Sequence, residues 1–450
     1  MRLLNVETFQ LEEISEVDII GSRTLPEQLA DALGLRSKSY AILSHTWDEE
    51  EVTFDDMRSN IRSTRRKKGF SKIKGCCEQA KKDGFSYVWI DCCCIDKKSS
   101  AELTESINSM FKWYQWADTC YVFLSDVEND GYNQTLDVDD QFSKSNWFNR
   151  GWTLQELLAP PMLKFFSKDW RSLGPSIIRG SKYVDVGDYG GRNEAEILFF
   201  TKLVRITNIP YEALAGQNFI DQYLVAQRMS WASERQTTRP EDIAYSLMGI
   251  FRVSMPVLYG EGRLRAFRRL QHEIIKMTPD QSIFCWMAAT RTKFTGILAE
   301  SPTQFKSSFD VEQDTKSRNA LFSMTNWGLQ IRGLQVFRVE DDLYFDQKYD
   351  ELYFAILGCT TNTKSKDGTI PLIGIYLIRV MDSLTDMDCG LWRRVYPDCD
   401  RTEPSVLEDR FLNGKEMFIL ETEQLIEREL KSNGFTRGDA DWFDTRRQYF

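Results

Sequence analysis

The stretch SYAILSHTW, Ser39–Trp47, decides the reading of the fold. It is short and apolar from Tyr40 to Leu43, and two later stretches share its pattern: SYVWIDCCCID, Ser86–Asp96, and CYVFLSD, Cys120–Asp126. Apolar runs without polar alternation are the signature of strands buried on both faces, as in a parallel sheet. Amphipathic segments lie between them. SKIKGCCEQAKKDG, Ser71–Gly84, puts Ile73, Cys76, Cys77 and Ala80 on one face, with Ser71 placed to cap its start and Gly84 its end. SAELTESINSMFKWYQWAD, Ser100–Asp118, spaces Leu103, Ile107, Met110, Phe111 and Tyr114 helically, with Ser99 or Ser100 as the cap. Alternating strands and helices predict a βαβ arrangement with right-handed crossovers.

Downstream, VENDGYNQTLDVDDQ, Val127–Gln141, lacks periodicity and reads as a loop. RGWTLQELLAPP, Arg150–Pro161, reads as a short helix that Pro160 and Pro161 stop at once, and MLKFFSKDW, Met162–Trp170, as a fourth strand. The expected organisation is an α/β domain over 1–175, a helical extension packed on it over 176–285, and a β-rich domain with a charged tail over 286–450. The helical segments are GRNEAEILFFTKLVRITN, QYLVAQRMSWASER, RPEDIAYSLMGIF and GRLRAFRRLQHEIIKM, with Thr238 as a cap for the third. FSMTNWGLQIRG, LYFAILGC and PLIGIYLIRV read as antiparallel strands between turn residues.

Bulk properties narrow the function. The 450 residues are 42% hydrophobic, and no apolar run approaches the ~20 residues of a membrane span. The N-terminus MRLLNVETFQLEEISEVD turns acidic too soon for a secretory signal, so a cytoplasmic protein is expected. A net charge of −10 argues against nucleic acid as the main partner. The basic run RSTRRKKGFSKIK, Arg62–Lys74, reads as a solvated approach to a helix, with a localisation signal or a pyrophosphate contact as lesser readings. Ten cysteines contain no CxxC pair, and His45 and His272 are far apart. No metal site is therefore expected, and the thiols read as small buried hydrophobes.

Loops at the carboxyl ends of parallel strands line the ligand crevice in open α/β sheets. Here those ends deliver Ser44, His45, Thr46 and Trp47 from the first strand, Asp91 and Asp96 from the second, and Ser125 and Asp126 from the third. Carboxylates, hydroxyls and an aromatic face suit a ribose and a flat base. Trp152 and Glu156 stand at i and i+4, on one face of their helix, while Leu154, Leu157 and Leu158 are left to pack on the sheet. On the residues alone Glu156 reads equally as a solvated or paired acid, Trp152 as a packing residue, and Asp91 as a loop cap.

YAILSHTW, YVWIDCCCID and RGWTLQELLAP resemble the three signature blocks of the fungal heterokaryon incompatibility (HET) domain. SKIKGCCEQAKKDG and MSWASERQTTRPEDIAYSLMGIFRVSMPVLYGEG are similar to other parts of that family, and the resemblance covers residues 1–285. One departure is Asp48, where members commonly carry glycine after the tryptophan. The resemblance implies a part in programmed cell death after fusion of unlike fungal cells. It also implies kinship with Toll/interleukin-1 receptor (TIR) domains: a flavodoxin-like parallel sheet with helices on both faces. Trp152-Thr-Leu-Gln-Glu156 is similar to the W-x-x-x-E element of TIR domains that cleave NAD. On that likeness Glu156 is the catalytic residue, and Ser44, His45, Trp47, Asp91, Asp96, Ser125 and Trp152 bind NAD or a related nucleotide. NAD is then the substrate, with no bound cofactor. The likeness further implies homo-oligomerisation on activation and a regulatory protein partner. Two other readings stand beside it: a non-enzymatic module that signals by assembling, and a hydrolase using Cys92, Cys93 or Cys94 with His45.

Overall fold

Among the described residues, seven strands form the first sheet: β1 (Arg2–Asn5), β2 (Leu11–Glu13), β3 (Tyr40–His45), β4 (Tyr87–Trp89), β5 (Thr119–Phe123), β6 (Met162–Phe166) and β7 (Ile177–Ile178), in the order β2-β1-β4-β3-β5-β6-β7. The computed structural model describes residues 1–19, 38–59, 61–128, 139–180, 194–217, 219–288, 296–314, 321–326, 328–339, 352–361, 372–381, 390–395, 401–402, 407–412 and 417–419. The four central strands are parallel: β3 pairs with β4 and β5, and β5 pairs with β6. β1, β2 and β7 pair antiparallel at the two margins. The fold is thus mixed α/β around a mainly parallel sheet.

Burial explains the strand choice. Every residue of β3 and β5 is buried, as their unbroken apolar runs demand. Ile42 and Leu43 have no exposed surface, and each such side chain contributes roughly 1.5–3 kcal/mol. The sequence reading missed β1, where Leu3 and Leu4 are fully buried against β4. Four residues are too few to carry a period. It also made the second strand too long. β4 ends at Trp89, and Asp91–Cys94 turns at once into a helix, α2, after α1 (Phe70–Lys82). An acid in the first turn favours that start, because the free N–H groups and the helix dipole are positive there.

α1 begins at Phe70, one residue before the expected cap; the Ser71 hydroxyl instead donates back to the Lys68 carbonyl at 2.8 Å. Gly84 ends it with φ +84°, as its position suggested. Ser99 caps α3 (Ser100–Trp116) by accepting from the Glu102 N–H. α4 (Asn146–Asn149) and α5 (Thr153–Leu158) follow β5, and all six side chains of α5 are buried. The expected loop over 127–141 falls largely on residues outside those described, as does the charged tail.

The chain divides into two compact units, residues 1–222 with 234–266, and residues 223–233 with 267–450. The helical stretch expected as one extension over 176–285 is therefore shared between them. In the first unit, Glu194–Thr207 is helical. The third helical segment is cut to Asp242–Tyr245, and Thr238 does not cap it; Glu241 precedes the first turn. Glu241 accepts from the N–H groups of Gly260 and Gly262 at 2.9 and 3.0 Å, which holds this segment as a set of turns. In the second unit, Gly328–Arg332 pairs antiparallel with Leu321–Thr325, and Leu352–Ile356 with Leu372–Met381. One pair in that sheet, Gly390–Val395 with Met417–Ile419, is parallel. No helix among the described residues is long and apolar enough to cross a membrane.

Candidate functional site

The parallel strands run in the order β4-β3-β5-β6, second, first, third, fourth along the chain. The connections leave β3 in opposite directions, which makes the carboxyl ends of β3 and β5 a topological switch point, the place where open α/β sheets bind ligands. A chain of contacts carries α5 to that point. Asp126, after β5, accepts from the Ser145 hydroxyl at 2.6 Å and from the Asn146 N–H at 2.8 Å, which fixes the start of α4. α4 delivers Trp147, whose indole N–H donates to the Ser44 hydroxyl oxygen at 2.7 Å. Ser44 donates in turn to the Glu156 carboxylate at 2.5 Å. Thr153 staples α5 to α4, its hydroxyl within 2.6 Å of the Trp147 carbonyl and 2.8 Å of that of Arg150. Gly151 lets the chain pass: a Cβ there would lie 2.5 Å from Cγ2 of Thr237.

A second group stands beside the first. Asp91 accepts from the Trp47 indole N–H at 2.9 Å, and its other oxygen lies 3.0 Å from Nε2 of His45. Nδ1 of His45 is 3.0 Å from the Thr46 carbonyl. Both ring nitrogens face acceptors, so both carry hydrogen and the ring is an imidazolium. Burial and the Lys72 charge oppose that proton, but the bonds to Asp91 and Cys92 outweigh them and hold the His45 pKa at about 9. Asp91 is held well below the usual carboxylate range; burial works against its charge, but Lys97 and His45 prevail. Lys72, buried on α1, ties the following loop by ion pairs to Glu51 and Asp48. Asp48 therefore takes the place of the expected glycine without strain, since its φ is not positive.

Glu156 is the exception in this charged setting. It is 7% exposed and makes no ion pair among the described residues. Burial pushes its pKa up to about 7, the Asp91 charge adds to this, and the Ser44 bond, Arg150 and His45 oppose it. A carboxyl held this high is partly protonated at neutral pH and gains its charge as the pH rises, so only its ionised form can face positive charge. Arg235, also buried, donates to the Arg150 carbonyl and the Thr153 hydroxyl rather than to Glu156.

The structure thus brings together Ser44, His45, Trp47, Asp91 and Glu156. Ser125 stands at the edge, 3.4 Å from the Thr46 hydroxyl. Two expected site residues turn elsewhere. Asp96 accepts from the Lys98 N–H at 3.0 Å and so closes its own turn. Trp152 donates to Asp242 at 3.1 Å, an acid that also accepts from Tyr259 at 2.9 Å. Its indole anchors the start of α5 to the downstream helical segment, while Glu156 faces Ser44.

The sequence did not reveal Trp147, Lys97 or Arg150, whose roles depend on contacts across the sheet. Nor did spacing join Cys92 to His45. The donor atoms of His45, Asp91 and Cys92 lie within 4.8 Å of one another, close enough for a metal. Both ring nitrogens of His45 face acceptors, so a metal here would have to displace a proton from one of them. The Cys92 thiol is drawn down to about 7 by its bond with Cys93 and by His45, against burial. Its 3% exposure keeps it from solvent. Of the basic run Arg62–Lys74, Lys72 reaches the group, its ammonium donating to the Thr46 carbonyl at 3.3 Å, whereas Lys67 pairs with Asp56 and Lys74 with Glu78. A cavity of about 690 Å³, lined by Met1, Arg2, Glu13, Cys94, Ser99 and Glu102 among others, lies apart from Glu156.

Residues 40–138 match the family model described as Heterokaryon incompatibility protein (HET), and residues 265–333 match a domain of unknown function, DUF8212. The chain is 44% identical over 241 residues to the Vegetative incompatibility protein HET-E-1 of Podospora anserina, a match that covers 53% of this chain and 16% of the relative. It therefore spans only a small part of that relative's length. No solved structure matches it.

Proposed function

We propose, from the premise that this chain carries a fungal heterokaryon incompatibility domain, that it is a cell-death effector that breaks the nicotinamide–ribose bond of NAD. The observation that carries the reading is Glu156, a buried carboxylate without an ion pair, aimed at the carboxyl end of β3 by Ser44. The strand order β4-β3-β5-β6 supports kinship with flavodoxin-like and TIR folds, whose ligands sit at this switch point. NAD is the substrate under this reading and no cofactor is needed.

One acid suffices for this bond. Ordinary glycoside hydrolysis uses two carboxylates, because a poor leaving oxygen must be protonated. Nicotinamide leaves from a positively charged pyridinium, so it departs neutral and needs no general acid. The ribose left behind becomes cationic, Glu156 in its ionised form faces that charge, and water adds to the ribose C1 with loss of a proton to give ADP-ribose. A preorganised charge in a site poor in water acts far more strongly than in bulk solvent. Ser44 and Trp147 hold the carboxylate in place, and Asp91 and Trp47 offer acceptor and aromatic contacts for the nucleotide.

The burial of Glu156 favours a second reading, a module that signals by assembling with like domains, in which Ser44–Glu156 is a structural bond. Incubation of the protein with NAD, free and artificially clustered, followed by chromatography for nicotinamide, separates the two. Release that disappears in Glu156→Ala supports the enzyme. Assembly and cell death without release, unaffected by that substitution, support the module.

A further inference from the structure

Trp47 is the most exposed aromatic in the site, at 42%, and two cations stand close to its ring. The Lys97 ammonium sits 3.2 Å from the ring centroid, and the Arg150 guanidinium 5.8 Å from it. The Lys97 nitrogen is buried, has no hydrogen-bond partner, and approaches the nearest carboxylate, Asp91, only to 3.8 Å. Asp91 already serves His45 and the Trp47 indole. The main chain of Arg150 is pinned, its carbonyl accepting from Thr153 and Arg235. Its guanidinium makes no hydrogen bond or ion pair among the described residues.

An ammonium buried without an acceptor is costly, and the cost is relieved when an anion supplies one. Arginine adds a planar fork that fits phosphoryl oxygens in pairs, while lysine acts as a point charge. Both cations stand beside the exposed Trp47 ring, and Arg150 lies six residues before Glu156, at the entry to the same helix. We propose that Lys97 and Arg150, both beside the Trp47 ring, form an anion subsite that takes the pyrophosphate of a dinucleotide. The inference rests on the reading that the ribose faces Glu156, and it names which part of the substrate this chain grips. The subsite selects nucleotides over nucleosides: nicotinamide riboside has the ring and the sugar but no phosphate to engage it.

Calorimetric titration of the full chain tests this with three probes: ADP-ribose, inorganic pyrophosphate and nicotinamide riboside. ADP-ribose and pyrophosphate bind the wild type, more weakly as salt rises. Lys97→Met and Arg150→Met each weaken ADP-ribose by about tenfold to a hundredfold, the worth of one charge-assisted hydrogen bond. Lys97→Arg keeps the charge and recovers most of that loss, which a misfolded variant does not do. Binding of nicotinamide riboside is unchanged by any of the three. Unaltered ADP-ribose binding in both methionine variants overturns the subsite, and so does a wild type that binds neither phosphate probe. If Lys97-dependent binding of ADP-ribose is present but no nicotinamide is released, the subsite stands and the hydrolytic reading fails. If release is normal and KM for NAD is unmoved in both methionine variants, the reverse holds.

Discussion

Replacing Glu156 by glutamine is expected to stabilise the protein at pH 8 and to leave it nearly unchanged at pH 4. The reasoning is linkage. Glu156 is 7% exposed, and burial raises its pKa from the ordinary 4.5 to about 7. A folded-state pKa above the unfolded one favours the protonated, folded form. That contribution is complete below pH 4.5 and is lost as pH rises through 7. The gap, at about 1.4 kcal/mol per pH unit, is on the order of 3 kcal/mol. Glutamine carries no charge to bury and still accepts from Ser44, so this penalty disappears. For a unit of this size about 2–4 °C accompanies each kcal/mol, so the melting midpoint of Glu156→Gln should exceed that of the wild type by several degrees at pH 8. Melting curves in steps from pH 4 to pH 8 provide the assay. A variant less stable than the wild type at pH 8 would refute the reasoning, because it would mean that the ionised carboxylate holds the fold together.

Further outcomes follow from other contacts. Asp91→Asn removes a bond that keeps the His45 ring protonated, while burial and Lys72 remain; proton NMR of this two-histidine protein should show the His45 titration fall from about 9 to near or below the ordinary 6.5. The same variant should flatten the loss of stability between pH 6.5 and 9, since a raised histidine pKa stabilises below the unfolded value and ceases to do so above the folded one. Gly151→Ala drives a Cβ against Thr237 and should cost about 1–3 kcal/mol in denaturant unfolding; Thr237→Ser, which removes the opposing methyl, should restore most of it. Cys92→Ala should leave nicotinamide release within about tenfold of the wild type, whereas thiol chemistry with His45 would abolish it.

The strands of the parallel core were legible because their residues are buried on both faces and so need no alternation, as in Tyr40–His45 and Thr119–Phe123. Their carboxyl ends were legible for the same reason, and Ser44, His45, Trp47 and Asp91 do converge. Helical spacing placed Trp152 and Glu156 on one face, yet their partners lie on different sides: Asp242 is 90 positions from the tryptophan, and Ser44 is 112 from the acid. Pairings that long depend on the folded topology. Lys97 and Arg150 were silent for a related reason, since an isolated cation gains meaning only from the ring and the carboxylate it meets. The run Arg62–Lys74 was loud, yet Lys67, Lys72 and Lys74 are all paired to acids, and only the folded topology carries Lys72 to the loop after β3.

Turnover of NAD by Glu156→Gln, once melting has shown that variant to be folded, tests the central claim most directly. Loss of one electrostatic contact of this kind lowers kcat by about 10²–10³, with nicotinamide release in the wild type climbing through pH 7 as the carboxylate ionises. Equal turnover by the two proteins at pH 8 contradicts the account.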